Sequence, residues 1–297
     1  MLRIIADSTC DISKEDARKM GIQIVPISVR FGDEEFLDGV EITHEEFYTR
    51  LAECDELPKT SQPSPDTFMK VFNEAVAAGD DVLGIFISSD LSGTYQSACL
   101  AALDVEEETR KKLYMVDSRS ASIGTALLIR EAVKLRDAGV NVSDIAAACT
   151  EMSKYIKLTA VVGSLKYLKM GGRLSGAAAF AGTMLHITPA VSIEDGKVVV
   201  IGKTRGKKAA EKLMHDKLIK DGLSLTRDFM FGHINCSESL ETFINKSLTY
   251  ISDVNGNVGV SSIGCSVGTH VGPGTYGIAY VEAAESGMNR ESIVKTA

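Results

Sequence analysis

The sequence predicts an α/β protein of two domains, and three observations carry that reading. Short, almost wholly apolar runs alternate with helical patterns through the first half, as buried parallel strands and their crossover helices do. Near residue 159 the character changes: Asp195-Gly196 stands between strand-like runs at 188–194 and 197–202, the sequence signature of a tight antiparallel hairpin. The length, 297 residues, also exceeds that of one typical domain. We place the division near 160, giving domains 1–160 and 161–297.

The elements follow in order. Residues 2–6 read as a buried strand, and Ser13 caps a short helix that ends near Gly21. Residues 22–31 are strand-like. Thr43 and Glu46 have capping-box spacing ahead of Phe47 and Leu51, which share a helical face. Ser64-Pro65 starts a helix, with Phe68, Val71, Phe72, Ala75 and Val76 at the 3.6-residue period up to Gly79. A strand at 82–87, a helix from about Thr94, a strand at 113–116 and a helix over 122–137 complete the first half. In the second half, helices begin near Gly206 and Ser239, and strands fall near 229–234, 258–265 and 276–281.

Forty acidic against 32 basic residues give a net charge of −8, which disfavours a large nucleic-acid footprint. An acid at Asp7 precedes any apolar stretch a signal peptide would need, and no apolar run approaches the roughly 18 residues of a membrane span. The six cysteines are scattered, without metal-ligand spacing, and most fall in apolar patterns. A cytoplasmic protein with reduced thiols, no metal, no cofactor and no stable membrane insertion is expected.

Two motifs mislead. Residues 272–277 match G-x-G-x-x-G, yet 278–282 read as strand, whereas a dinucleotide fingerprint needs a helix whose amides meet the pyrophosphate. Residues 264–268 match the nucleophile-elbow pattern G-x-S-x-G. The glycines and proline at 272–274 argue against a following helix, and His270 trails Ser266 by four residues with no carboxylate between. A hydrolase built on Ser266 and His270 is disfavoured, and the protein is expected not to be an enzyme.

Four segments rich in small hydroxyl and glycine residues follow predicted strands, the edge where open α/β sheets bind ligands: 7–11, 60–65, 88–94 and 117–118. Helix capping explains Ser13 and Ser64. Around Thr60 and Ser92 the loops carry more hydroxyls than a cap uses, and converging hydroxyls with helix amides suit a carboxylate or phosphate.

Several of these stretches resemble one family. Thr-Ser-Gln-Pro-Ser at 60–64, Leu-Ser-Gly-Thr-Tyr at 91–95, Leu-Lys-Met-Gly-Gly-Arg-Leu-Ser at 168–175 and His-Val-Gly-Pro-Gly at 270–274 are similar to DegV-family motifs. Asp-Ser-Thr-x-Asp at 7–11 and Val-Asp-Ser at 116–118 extend the likeness over nearly the whole chain. Met170 departs from it, standing where a second lysine is commoner.

The resemblance implies a Rossmann-like N-terminal domain with a parallel sheet, a C-terminal α/β domain with a mixed sheet, and a fatty acid held between them. It implies a carrier that presents a long-chain fatty acid to a separate fatty acid kinase, forming an acyl phosphate for phospholipid synthesis. Thr60 and Ser92 would hold the carboxylate, with His270 beside the head group and Ser61 and Gly93 among the ligand-binding residues. A carboxylate taken out of water needs donors, which hydroxyls, amides and an imidazolium would supply. Residues 176–185, including Ala178, Phe180, Met184 and Leu185, could wall the acyl tail or simply pack a helix on the sheet. Arg173 and Arg205 would project into solvent as kinase-docking residues, or remain ordinary surface charge. The alternative is a substrate-binding unit for a small polar molecule, similar to the substrate domain of dihydroxyacetone kinase.

Overall fold

Three sheets organise the residues that the structure, a computed structural model, describes: 1–54, 56–175, 187–224, 227–249 and 256–283. The first sheet is wholly parallel. Its strands are β1 (Leu2–Asp7), β2 (Ile22–Val25), β6 (Asp81–Phe86) and β7 (Tyr114–Asp117), in the order β2-β1-β6-β7. Ile4, Ile5, Leu83, Ile85 and Val116 are buried, which is why these strands read as continuous apolar runs. Helices α1 (Lys14–Met20), α3 (Pro65–Ala77) and α4 (Thr94–Thr109) begin as the sequence predicts. Ser13 and Ser64 each accept an amide hydrogen bond at the helix start, and Gly21 closes α1 in the left-handed region. The capping box of Thr43 and Glu46 opens α2 (His44–Glu53).

The second sheet is mixed. It contains β8 (Ile156–Val161), β9 (Thr188–Glu194), β10 (Lys197–Thr204), β11 (Phe229–His233), β12 (Val258–Ser262) and β13 (Tyr276–Val281), in the order β10-β9-β8-β13-β11-β12. The β9–β10 hairpin turns at Asp195 (φ 48°) and Gly196 (φ 81°), both in the left-handed region that a two-residue turn demands. Helices α8 (Lys207–Asp221) and α9 (Ser237–Leu248) pack with this sheet around Phe229, Phe231, Phe243 and Tyr276. By sheet membership the division falls ahead of Ile156, because β8 already belongs to the second sheet.

Between the two sheets lies α5 (Ile123–Asp137), buried at 11 of its 15 residues. A helix buried over so much of its surface, although it carries five charged residues, needs neighbours on more than one side. Here the neighbours are Ile4 and Leu83 from the first sheet and Leu158, Ile193 and Ala279 from the second, all in one continuous core. Helix α6 (Val142–Met152), absent from the elements expected above, packs on α5 and feeds the chain into β8.

Three expectations change. The run at 22–31 is two strands, not one: Pro26 cannot donate to a ladder, so β2 ends at Val25 and β3 begins at Ser28. Strand β3 (Ser28–Phe31) instead joins β4 (Glu34–Leu37) and β5 (Lys59–Ser61) in a small antiparallel sheet in the first half. Thr60 therefore lies on an antiparallel strand, not at the end of a parallel one. The run at 258–265 also stops early, at Ser262, because Cys265 opens helix α10 (Cys265–Val271).

Candidate functional site

Where the two large sheets face each other lies a cavity with about 150 Å³ of water-accessible space. Most of its wall is aliphatic. Ile87, Leu91 and Ile123 come from the first half; Leu158, Val191, Ile193 and Val198 come from the second sheet. One end is polar, formed by Thr60, Gln62, Ser92, Arg173 and His270, with Thr9, Ser122 and Ser266 also in the wall. An apolar slot with a few convergent polar groups is the usual build of a small-molecule site.

Each polar group is held by a different element. Strand alternation on β5 turns Thr60 inward and leaves Ser61 exposed, so Ser61 does not line the cavity. Thr60 Oγ1 meets His270 Nε2 at 3.0 Å. Ser92 Oγ lies 2.9 Å from Thr94 Oγ1, at the start of α4. Gly93 caps α4 without a side-chain hydrogen bond of its own, and the Thr94 amide at the helix start donates to Ser92 Oγ at 3.3 Å. A Cβ at Gly93 would sit 2.0 Å from Gln62 Oε1, so this glycine lets Gln62 lie against the loop while its amide donates to Ser97 Oγ at 2.8 Å.

Gln62 was not singled out in the sequence, although it sits inside the 60–64 motif. What hid it was the absence of any reason to separate one motif residue from the next. Pairing with the Ser92-Gly93 loop becomes visible only in three dimensions.

His270 corrects the expected imidazolium. Burial, with the nearby Arg173 guanidinium second, holds its pKa down at about 4, so the ring is neutral at pH 7. Its Nδ1 is buried and makes no hydrogen bond among the described residues. A Cβ at Gly171 would fall 2.3 Å from that nitrogen, so the bare backbone there leaves the ring its place.

Arg173, just past the short helix α7 (Lys166–Met170), also departs from expectation. Rather than reaching into solvent, its Nε donates to the Leu91 carbonyl at 3.1 Å and its Nη1 to the Gly171 carbonyl at 2.6 Å. It forms part of the cavity wall. Arg205 is exposed and borders neither this cavity nor the groove outside it. Ala178, Phe180, Met184 and Leu185 lie outside the described residues.

Thr60, Arg173 and His270 face that groove as well. It is open, bordered also by Glu56, Lys59, Met170 and Thr269, and reaches the same three side chains from outside. They thus form the partition between an apolar interior and an outer groove of mixed lining, to which Leu57 and Pro58 also contribute.

The elbow-like segment requires a correction of its own. A helix, α10, does follow Gly264, giving the strand-turn-helix context that the sequence argued against. Its first amides are nevertheless occupied. Gly264 N donates to Asp11 Oδ1 at 2.9 Å, Cys265 N to Asp38 Oδ1 at 3.1 Å and Ser266 N to Asp38 Oδ2 at 3.1 Å. Amides that already meet carboxylates have no donor left for an oxyanion, so none of these three offers one.

Asp38, His44 and Cys265 each bring a metal-ligand atom type within 4.8 Å of the others. Asp38, however, accepts from two amides, the Ser8 hydroxyl and the Cys265 thiol. That fills most of what a carboxylate offers, while His44 Nδ1 meets Ser262 Oγ at 3.4 Å, so the trio is explained without a metal.

The G-x-G-x-x-G stretch runs into strand β13, as its sequence predicts. His215 is a packing histidine, stacked on Phe243 and bonded to Ser247 Oγ at 3.0 Å.

Comparison with known proteins agrees with this architecture. Residues 1–283 match the family model described as an uncharacterised protein of the DegV family. A DegV domain-containing protein of Clostridium perfringens is 35% identical over 290 residues, covering 95% of this chain and 98% of its own. Among solved structures, a Thermus thermophilus DegV-family protein described by its fatty acid binding superposes with a TM-score of 0.85 at 30% identity, over 95% of this chain and all of that one. A stearic acid-binding protein of Eubacterium ventriosum gives 0.83 at 29% identity, over 95% and 98% of the two chains. The chain belongs to the DegV family.

Proposed function

We propose that this protein binds a long-chain fatty acid and presents its carboxylate to a separate kinase. One observation carries the reading: a cavity aliphatic along most of its wall carries a polar cluster of Thr60, Gln62, Ser92, Arg173 and His270. An acyl tail gains roughly 0.8 kcal/mol per buried CH₂ before entropic costs, so the tail supplies affinity. The head group needs donors once it leaves water, and hydroxyls, the amides of α4 and the Arg173 guanidinium can donate to it. The fatty acid-binding relatives support the same ligand class.

Presentation is supported by the partition. Side chains that border both the interior cavity and the outer groove would leave the carboxylate reachable by a second protein without releasing the tail. Docking is assigned to exposed Arg205, whereas Arg173 belongs to the head-group wall. No catalytic role is proposed for the chain itself, and Ser266 has no basic partner in hydrogen-bonding contact among the described residues.

Solvent extraction of the purified protein followed by mass spectrometry tests the ligand class. A co-purified fatty acid is expected, and a polar metabolite in its place would favour the small-molecule alternative. With the cognate kinase, Arg205→Ala is expected to keep fatty-acid affinity and lose acyl phosphate formation, increasingly at higher salt. Acyl phosphate formed without the kinase would refute the carrier reading.

A further inference from the structure

The side chain that decides where His270 stands is on a different element. His270 is the sixth residue of α10, a helix of seven residues that is too short to hold its own orientation by internal hydrogen bonds. What holds it lies at its other end. Asp38, 4% exposed, accepts from the amides of Cys265 and Ser266, one on each carboxylate oxygen, at 3.1 Å each.

Asp38 is itself fixed in place. Its amide donates to the Ile27 carbonyl at 2.9 Å, and Ser8 Oγ donates to its Oδ2 at 3.2 Å. Ile27 N in turn donates to Ser8 Oγ at 3.1 Å. Asp11 adds a parallel tie, accepting from Gly264 N and, through its other oxygen, from Ser122 at the start of α5. Tyr48 steadies the same turn by donating to the Ile263 and Gly264 carbonyls at 3.0 and 3.1 Å. The groups around Asp38 are therefore Asp7, Asp11, His44, Tyr48 and Cys265, and among the described residues no lysine or arginine is ion-paired with it.

We infer that Asp38 is a positioning residue: by clamping the first two amides of α10 to the first half of the molecule, it sets the rotation of that helix and so places His270 against Thr60. The inference rests on the fatty-acid reading for its consequence, and on geometry alone for its cause. A carboxylate offers two equivalent acceptors, one per amide. An asparagine in its place offers one acceptor and turns an NH₂ toward the second amide, which must move away.

Asp38→Asn is accordingly expected to disturb His270 without touching the cavity wall. In protein labelled with ¹⁵N-histidine and free of ligand, the His270 ring signal, assigned by its loss in His270→Gln, should shift in Asp38→Asn. Oleate affinity should fall roughly tenfold, while affinity for methyl oleate, which lacks the carboxylate, should change little. In the His270→Gln background the Asp38→Asn substitution should then have almost no further effect on oleate.

An unchanged His270 signal, equal losses for oleate and its ester, or additive effects in the double variant would each overturn the assignment. Should Asp38→Asn fail to fold, Ser8→Ala decides. It removes the hydroxyl that orients the carboxylate, together with the acceptor of the Ile27 amide, and it must shift the same ring signal for the assignment to stand. Absence of oleate binding in the wild type would instead remove the fatty-acid reading, and the ligand-free ring signal alone would then decide the role of Asp38.

Discussion

His270 meets Thr60 across 3.0 Å with a ring that burial keeps neutral down to about pH 4. That has a measurable cost in acid. An unfolded chain takes up a proton at this histidine near its ordinary 6.5, whereas the folded protein does not until about 4. The contribution is therefore fully present above 6.5 and is lost as pH falls through that window. Between about pH 7.5 and 4, the wild type is expected to lose on the order of 3 kcal/mol more stability than His270→Gln, read from chemical unfolding at each pH. Equal losses in the two proteins would mean that the ring is already charged when folded. Ser92 makes the second prediction at this scale. Ser92→Ala should weaken binding of a fluorescent fatty acid by about 1.5–3 kcal/mol with the melting temperature unchanged, since the tail still anchors the ligand. Wild-type affinity in that variant would remove Ser92 from the site. Residue types were legible in the sequence here, but their protonation and direction were not. Thr60, Ser92 and His270 could be picked from motifs. The neutrality of His270 follows from what surrounds it, and the inward turn of Arg173 follows from the Leu91 and Gly171 carbonyls that receive it.

Helix α10 is the element on which the polar end depends, and its packing against α2 is unusually close. A Cβ at Gly268 would lie 2.1 Å from the Tyr48 hydroxyl and within 2.9 Å of its ring carbons. Tyr48 is buried and bonded at its hydroxyl, so it cannot step aside freely. Gly268→Ala should thus destabilise the protein by about 1–3 kcal/mol, and Tyr48→Phe in the same chain should restore part of that loss by removing the nearest atom. Thermal unfolding of the two variants makes the comparison, and a neutral Gly268→Ala would mean that the helices have slack between them. Elements with a strong period or a side-chain cap could be read from sequence, as α1, α2 and α3 were. Helix α10 could not be: its short run lies between glycines at 264 and 272, and its cap comes from Asp38, more than 200 positions away. The small antiparallel sheet stayed hidden for a local reason, since one proline at 26 divides an otherwise continuous strand pattern.

At the scale of the molecule, the two halves recognised in the sequence are joined by a core that the sequence did not announce. Alternation of strands and helices predicts the parallel sheet, and Asp195-Gly196 predicts the hairpin of the mixed one. Nothing in the spacing of α5 says that it will be enclosed from both sides. That enclosure has a consequence for traffic. Swinging the halves apart, as a hinged jaw would, means baring the side of α5 that the second sheet covers, a costly exposure of apolar core. On the proposed function, cargo should come and go through a doorway opened by the small motions of a few surface segments while the keel of the molecule stays shut. Amide hydrogen exchange would register this directly. The amides of α5 should exchange only through global unfolding, with or without fatty acid, and the protection that cargo confers should appear around Thr60, Ser92 and α10. Early exchange along α5 in the unloaded protein would mean instead that the whole hull opens to take on its load.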